Sequence, residues 1–204
     1  MIGVVDYRAG NAPSVLYALA RLGLDATLVR TPIELAAVDR IILPGVGAAA
    51  ATIESLAESD LIGVLGDRVV RDHTPFLGIC IGLQVLFDDS DEGPTKCLGW
   101  IPGSVRRFPA TDRVPQIGWN EVVARRAHPL LTGVSQHPYC YFVNSFYAVP
   151  RDDNAVLAAT EYSVTFCSMV AADNIAATQF HAEKSGEVGL RILANFATWD
   201  GTEC

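Results

Sequence analysis

The sequence is poor in charged residues: only 19% of its 204 residues are Asp, Glu, Lys or Arg, whereas half are apolar. A chain with this balance can bury a hydrophobic core, which excludes an intrinsically disordered protein. Basic residues are outnumbered by acidic ones, so the net charge is −8. A surface of that sign repels phosphates, and we therefore expect neither nucleic acid nor an anionic membrane as a partner.

Long apolar runs and ordered cysteine patterns are also missing. No apolar run approaches the ~18 residues that a membrane-spanning helix needs. Residues 1–6 resemble a core strand rather than a signal peptide. The five cysteines, at positions 80, 97, 140, 167 and 204, are odd in number and irregularly spaced, which favours neither a metal site nor a disulfide framework. The sequence therefore predicts a cytoplasmic protein without a metal or other cofactor.

The order of apolar patterns predicts an α/β fold in one domain, residues 1–204. In the first half, strand-like segments lie at 2–5, 26–29, 40–43 and 74–79, with helical patterns near 13–22, 33–37, 47–58 and 61–72. The second half is richer in strand patterns, at 114–123, 139–149, 155–162, 166–171 and 174–180, and ends in a helical one at 186–199. This alternation predicts a mainly parallel sheet with helices on both faces, followed by a β-rich second half.

The segment Gly78–Gln84, Gly-Ile-Cys-Ile-Gly-Leu-Gln, places Cys80 between two glycines after an apolar run. This pattern is typical of a nucleophile elbow, in which a strand turns sharply into a helix. Because the turn strains the backbone of the nucleophile, its neighbours Gly78 and Gly82 must be small. The thiol would lie at the N-terminus of the next helix, where partial positive charge favours a thiolate. Judged from Cys80 alone, an unreactive cysteine buried in the core is as good an interpretation as a nucleophile.

A His-x-Glu pair, His181 and Glu183, follows a strand-like run far downstream. In an extended chain residues i and i+2 point the same way, so Glu183 can orient one imidazole nitrogen while the other faces a thiol. Together with Cys80 the pair would supply a nucleophile, a general base and an orienting carboxylate. An exposed His–Glu pair at a strand end is the simpler alternative. A zinc deaminase is set aside because no Cys-x-x-Cys follows.

These segments resemble the triad-type, or class I, glutamine amidotransferases, and most closely the glutaminase subunits of imidazole glycerol phosphate synthase. The resemblance covers nearly the whole chain. It implies that family's fold, glutamine as the substrate, and catalytic roles for Cys80, His181 and Glu183. The matching segments are 2–11 with 14–15, Leu-Pro-Gly-Val-Gly at 43–47, the elbow, 114–120 with Gly-Trp-Asn, Tyr-Phe-Val-Asn-Ser at 141–145, and 178–186.

The resemblance also assigns residues that bind glutamine. Backbone N–H groups after the nucleophile and in the glycine-rich 45–47 segment would stabilise the oxyanion of the attacked amide. A glutamine of the elbow and the segment after 143 would hold the rest of the substrate. These residues are Gly45, Val46, Gly47, Ile81, Gln84, Asn144, Ser145 and Phe146.

Release of free ammonia would be wasteful, and the sequence has no glycine-rich phosphate loop for a synthase reaction of its own. The resemblance implies a (β/α)-barrel cyclase subunit as the partner that uses the ammonia, in a heterodimer that serves histidine biosynthesis. Asn11, Trp119 and Lys184 match positions on the partner-facing side of the family.

Some residues depart from the family's usual ones. Ala182 replaces a proline, Gln116 and Asn144 replace histidines, Phe146 replaces a tyrosine and Arg8 a glycine. The main alternative is therefore a paralogue that supplies ammonia to a related cyclase-like synthase in surface-sugar or secondary-metabolite synthesis. A cysteine protease or hydratase-like protein is disfavoured by the elbow glutamine, and a non-catalytic scaffold by the complete triad.

Overall fold

The computed structural model describes residues 1–8 and 11–202. Its strands are β1 (Ile2–Val5), β2 (Ala26–Val29), β3 (Arg40–Gly45), β4 (Phe76–Cys80), β5 (Asp89–Ser90), β6 (Thr95–Lys96), β7 (Gly103–Arg107), β8 (Gln116–Glu121), β9 (Val123–Ala124), β10 (Tyr139–Asn144), β11 (Phe146–Pro150), β12 (Val156–Glu161), β13 (Thr165–Ala172) and β14 (Ile175–Thr178). Its α-helices are α1 (Ala12–Arg21), α2 (Pro32–Ala36), α3 (Ala49–Glu58), α4 (Leu61–Gly66), α5 (Ile81–Gln84) and α6 (Gly186–Thr198). A π-helical turn, Asp67–Arg71, continues α4, and 3-10 turns lie at Pro129–Leu131, Asp153–Ala155 and Ala182–Lys184.

The main sheet joins a parallel half to an antiparallel half. Strands β2, β1, β3, β4 and β14 are neighbours in that order and pair in parallel. β14 then pairs antiparallel with β13, and the sheet continues through β11, β7, β5 and β6. β12 also pairs with β13, and β9 pairs with β12. β8 and β10 form a separate antiparallel ribbon.

Burial of the central strands shows that both faces of the parallel half are covered. Every residue of β1, β4 and β14 is buried, which is typical of parallel strands packed between helices. On the helix side, α1 contacts α6, while α2 and α3 both contact α4. The predicted α/β fold, with helices on both faces and a β-rich second half, is confirmed. Within the described residues, no helix is both long and apolar enough to span a bilayer.

The first helix forms where its sequence signals place it. Pro13 lies in the first turn of α1, where its missing N–H costs nothing. Val15 and Leu19 form the buried face of the helix. Gly23 follows the helix with a φ of 68°, and its N–H donates to the carbonyl of Ala20 at 2.9 Å. A left-handed glycine of this kind ends a helix, as the sequence predicts.

Other segments differ from the sequence prediction for identifiable reasons. The pattern at 61–72 is not one helix but α4 followed by a π-helical turn, where Gly63 and Gly66 lower the helix propensity. The predicted strand 139–149 is divided at Ser145, because β10 pairs with β8 whereas β11 pairs with β7 and β13. β8 begins only after Pro115, whose ring nitrogen cannot donate to a strand ladder.

We predict that Gly82→Ala will lower the free energy of unfolding by about 1–3 kcal/mol, the usual cost of overpacking. A methyl group on Gly82 would overlap the backbone carbonyl of Leu43, a residue of β3 that packs against the elbow. Gly63→Ala in α4 is the matched control, because a methyl group there would meet no atom within 4 Å. It should stabilise the protein by about 0.5–1 kcal/mol. Denaturant unfolding measures both, and equal stability of the two variants would contradict the prediction.

Candidate active site

Cys80 ends β4 with a backbone conformation that residues other than glycine rarely adopt, φ 58° and ψ −107°. The residues around it hold this conformation by close packing. A methyl group on Gly78 would press on the carbonyl of Gly82, and one on Gly45 would lie 2.8 Å from Cβ of Ile81. Gly45 is also the register partner of Cys80 across β3 and β4. The strand, sharp turn and helix expected from the sequence are therefore present at Cys80.

The helix after the elbow is much shorter than the sequence suggests. α5 spans only Ile81–Gln84, which is about one turn. A single turn provides little of the dipole that a full helix has at its N-terminus. The Cys80 thiol therefore interacts mainly with neighbouring groups rather than with α5. These neighbours are His181, the backbone carbonyl of Val143 at 4.0 Å from Sγ, and Gln179.

His181 and Glu183 lie three and five residues after the end of β14, which is the parallel neighbour of β4. Nδ1 of His181 is 2.8 Å from Oε1 of Glu183, and both side chains are almost fully buried. Cys80 also interacts with this imidazole, and both side chains line the same cavity. The sequence predicted that an extended backbone brings the pair together. Instead, His181 is extended but Glu183 lies in the 3-10 turn Ala182–Lys184, and the turn folds the carboxylate back to the imidazole.

Two opposing effects set the pKa of His181. Burial alone would lower it, because a charged imidazole loses its hydration. Hydrogen bonds to Cys80 and Glu183, together with the negative charges of these groups, outweigh burial and raise the pKa of His181 from 6.5 to about 10. The imidazole of His181 therefore holds its proton at neutral pH.

Asn11 connects the N-terminal loop to the His181–Glu183 pair. Its Nδ2 donates to Oε1 of Glu183 at 2.8 Å, and its Oδ1 accepts from Ser14 at 2.6 Å. The same carboxylate oxygen thus serves both Asn11 and His181. Asn11 is half-buried. The neighbouring positions 9 and 10, which belong to the resembling segment, lie outside the described residues.

A cavity of about 240 Å³ opens beside Cys80 and His181. It brings together most of the residues predicted to bind glutamine, from β3, the elbow and the end of β10. A larger cavity, about 570 Å³ near Cys167, contains neither Cys80 nor His181. The 240 Å³ cavity is lined by Val46, Gly47, Cys80, Ile81, Gln84, Glu92, Pro115, Val143, Asn144, Ser145, Phe146 and His181.

Comparison with known proteins identifies the family. The model of the class-I glutamine amidotransferase family matches residues 3–198. Imidazole glycerol phosphate synthase subunit HisH of Dehalococcoides mccartyi (strain CBDB1) is 47% identical over 197 residues, which are 96% of each chain. The chain belongs to the class I glutamine amidotransferases, in the HisH family. The HisH subunit of Methanothermobacter thermautotrophicus is 45% identical over 200 residues, 96% of this chain and 97% of the relative.

Solved structures share the fold at lower identity. A crystal structure of a glutamine amidotransferase has a TM-score of 0.76 at 20% identity and covers 97% of this chain and 99% of its own. PurLQS from Thermotoga maritima has a TM-score of 0.73 at 18% identity, with 96% of each chain covered. At these identities the similarity supports the architecture of the amidotransferase domain.

The sequence reasoning missed two residues of this amidotransferase site. Glu92 lines the cavity, and its Oε2 accepts from the backbone N–H of Ala49 at 2.8 Å. Gln179 is fully buried, and its Nε2 lies 3.9 Å from Sγ of Cys80. Gln179 is two residues before His181, so a period of two could have indicated it. Nothing in the local sequence distinguishes Glu92 from the neighbouring acidic residues.

The residues predicted to face a partner have different environments. Trp119 is 55% exposed on β8, and Lys184 is exposed in the turn after His181. Asn11 instead points at Glu183, as described above. Of the proposed oxyanion segment, Val46 is 39% exposed and Gly47 has a φ of 97°. Gly45 is the buried last residue of β3, and Val46 and Gly47 form a loop at the mouth of the cavity.

We predict that the imidazolium of His181 will persist at pH 8 and lose its proton only near pH 10. Because the pKa of His181 is raised in the folded protein, the imidazole keeps its proton over the pH range from 6.5 to about 10, in which an ordinary imidazole loses it. The proton is released as the pH rises through about 10. In Cys80→Ala the pKa should fall, since burial is then opposed by Glu183 alone. NMR titration of the ring nitrogens measures both, with His181→Ala identifying the signal. A wild-type midpoint near 6.5 would contradict the prediction.

Proposed function

We propose that this chain is the cytoplasmic glutaminase subunit of imidazole glycerol phosphate synthase. It hydrolyses L-glutamine and delivers ammonia to a (β/α)-barrel cyclase subunit in histidine biosynthesis. The observation that supports the proposal most strongly is the contact of Cys80 with His181 and of His181 with Glu183 beside a small cavity. The HisH relatives, at 40–47% identity, support the assignment to this synthase.

Cys80, His181 and Glu183 would divide the chemistry between them. Sγ of Cys80 adds to the side-chain amide carbon of glutamine, and His181 gives its proton to the nitrogen that leaves as ammonia. A thioester of glutamate and Cys80 remains. His181, now neutral, takes a proton from water, and the water oxygen attacks the carbonyl carbon of the thioester. The bond from that carbon to Sγ breaks, which releases glutamate and frees Cys80. Glu183 accepts from Nδ1 throughout and stabilises the imidazolium.

The oxyanion formed by this attack needs backbone donors. The N–H of Ile81 follows the nucleophile directly and is the first donor. The Val46 and Gly47 peptides at the cavity mouth would supply a second. A glycine with positive φ at position 47 lets this backbone change orientation. One missing oxyanion donor costs about 10²–10³ in rate, so this loop is a place where a partner could control turnover.

The amino-acid end of glutamine fits the acceptors in the cavity. Glu92 supplies a carboxylate for the α-ammonium group. Oε1 of Gln84 and Oδ1 of Asn144 are buried and have no hydrogen-bond partner among the described residues. Buried acceptors of this kind need a donor, and the ammonium and amide N–H groups of glutamine would provide it. Ser145, at the break between β10 and β11, adds a hydroxyl group.

Exposed apolar residues border the cavity and suit a partner surface. Ile117 and Val143 face each other across the β8–β10 ribbon, and Trp119 lies opposite Tyr141. Ile117 and Trp119 are each more than half exposed, and Val143 also lines the cavity. Covering this rim with the cyclase would remove apolar surface from water. It would also place the synthase next to the site where ammonia is released.

We predict that Cys80→Ser will abolish glutaminase activity while the protein stays folded, because a hydroxyl is far harder to ionise than a thiol. His181→Ala should reduce turnover by about 10²–10⁴, the usual cost of losing a general acid–base group. Glu183→Gln should cost less, since it keeps the side chain beside Nδ1. Glutamate formation with the partner present, together with circular dichroism, tests the order. A larger loss in Glu183→Gln than in His181→Ala would contradict these roles.

We predict low glutaminase activity for the isolated chain and a large stimulation by the barrel cyclase with its nucleotide ligand. A stimulation of about 10²–10³ would match the gain of one oxyanion donor. The measurement mixes the chain with the cyclase of the same organism and follows glutamate. Full activity without a partner would refute the coupling. Stimulation only by a paralogous barrel synthase would move the protein to surface-sugar or secondary-metabolite synthesis and leave the triad unaffected.

A further inference from the structure

Gln179 lies against the nucleophile but belongs to none of the roles assigned so far. It is the residue directly after β14, its side chain is fully buried, and its Nε2 donates toward Sγ of Cys80 at 3.9 Å. Its backbone N–H donates to the carbonyl of Ser168 on β13 at 2.9 Å. The main chain is therefore fixed, and the side-chain amide is the part of Gln179 that can act on the site.

The orientation of this amide follows from its neighbours. The carbonyl of Phe146 can only accept, and Nε2 of Gln84 donates to it at 3.2 Å. The same Nε2 donates to Oε1 of Gln179 at 3.0 Å. Both hydrogens of the Gln84 amide are therefore used. Since Oε1 of Gln179 faces Gln84, its Nε2 must face Cys80, and a backbone carbonyl sets the direction of the whole chain of hydrogen bonds.

We propose that Gln179 is a positioning residue that donates a hydrogen bond to the Cys80 thiolate and connects the thiolate, through Gln84, to the substrate cavity. This inference rests on the assignment of Cys80 as the nucleophile. It adds an uncharged donor to the charged one supplied by His181. Removing Gln179 should reduce the reactivity of the sulfur without moving the triad.

The contacts of Sγ show why such a donor matters. The carbonyl of Val143, at 4.0 Å, accepts from the protonated thiol and so favours the unreactive form. An amide N–H favours the thiolate, because only the anion is a strong acceptor. Gln179 and His181 therefore act against Val143. The amide also restrains Sγ from one side, which keeps the sulfur directed at the cavity.

Gln84 gives this donor a connection to the substrate. It lines the cavity, and its Oε1 is buried without a partner among the described residues. A glutamine substrate that donates to this oxygen would hold Gln84 in place. Gln84 in turn holds the amide of Gln179 with its nitrogen toward Cys80. Occupancy of the cavity and orientation of the thiolate are linked by two hydrogen bonds.

Alkylation of Cys80 by the neutral reagent iodoacetamide tests the proposal without glutamine or a partner. Burial raises the pKa of Cys97 to about 11 and those of Cys140 and Cys167 to about 12, so these thiols react slowly. Cys204 lies outside the described residues and is removed by Cys204→Ala. Peptide mass analysis then gives the rate at Cys80 across a pH series, for the full-length chain.

Gln179→Met, which keeps the length of the side chain, should slow alkylation at pH 7 about tenfold, a typical effect of losing a hydrogen bond to a charged group. A higher pH should restore the rate. Gln179→Glu should be slower still, because a carboxylate beside the sulfur disfavours the thiolate. Ser168→Ala is the matched control, since its hydroxyl is buried and unpartnered among the described residues. It should alkylate at the wild-type rate.

Gln84→Met provides a second route that leaves Gln179 in place. It should slow alkylation in the wild-type background and have no effect in Gln179→Met, because Gln84 acts through the Gln179 amide. Wild-type alkylation rates in folded Gln179→Met and Gln179→Glu would overturn the proposal, as would additive effects in the double variant. Glutaminase activity in Cys80→Ser would instead overturn the proposed function, whatever the alkylation rates are.

Discussion

The site depends on one constraint, the close packing of β3 and the elbow around the strained backbone of Cys80. A positive φ at a cysteine costs on the order of 1–3 kcal/mol, so the surrounding residues must hold Cys80 in this conformation. Three glycines packed around it leave no room for a side chain, since methyl groups on Gly45, Gly78 and Gly82 would all meet neighbouring atoms. The strain is thus maintained by the buried sheet rather than by the cysteine itself.

The buried charges around Cys80 stabilise one another rather than the fold. His181 and Glu183 are almost fully buried, and burying either of them alone would be costly. Nδ1 of His181 is paired with Glu183, and Cys80 interacts with the same imidazole. Asn11 supplies a further donor to Glu183. Loss of His181 or Glu183 would leave a buried partner uncompensated.

Features with a local pattern could be predicted from the sequence, and features made by distant contacts could not. The elbow at Cys80 and the His181–Glu183 pair each lie within a few residues, so their spacing was informative. Gln179 reaches Cys80 because β14 pairs in parallel with β4, which no local pattern specifies. The strand predicted at 139–149 failed for the same reason: the chain changes pairing partners at Ser145. Glu92 enters the cavity through a loop that lacks any repeating pattern.

The pairing of β4 with β14 has a consequence for how the site can be controlled. Ile79 and Thr178 are register partners, Cys80 is the next residue of β4, and His181 lies three residues after the end of β14. The register between β4 and β14 therefore fixes where Cys80 and His181 lie relative to each other. A slip of one residue would shift β14 along β4 by about 3.3 Å and turn its side chains to the opposite face of the sheet. Graded adjustment between these two strands is therefore not available. Movements that alter the site are therefore expected outside the sheet, in residues 46–47 after β3 and in the segment that carries Asn11.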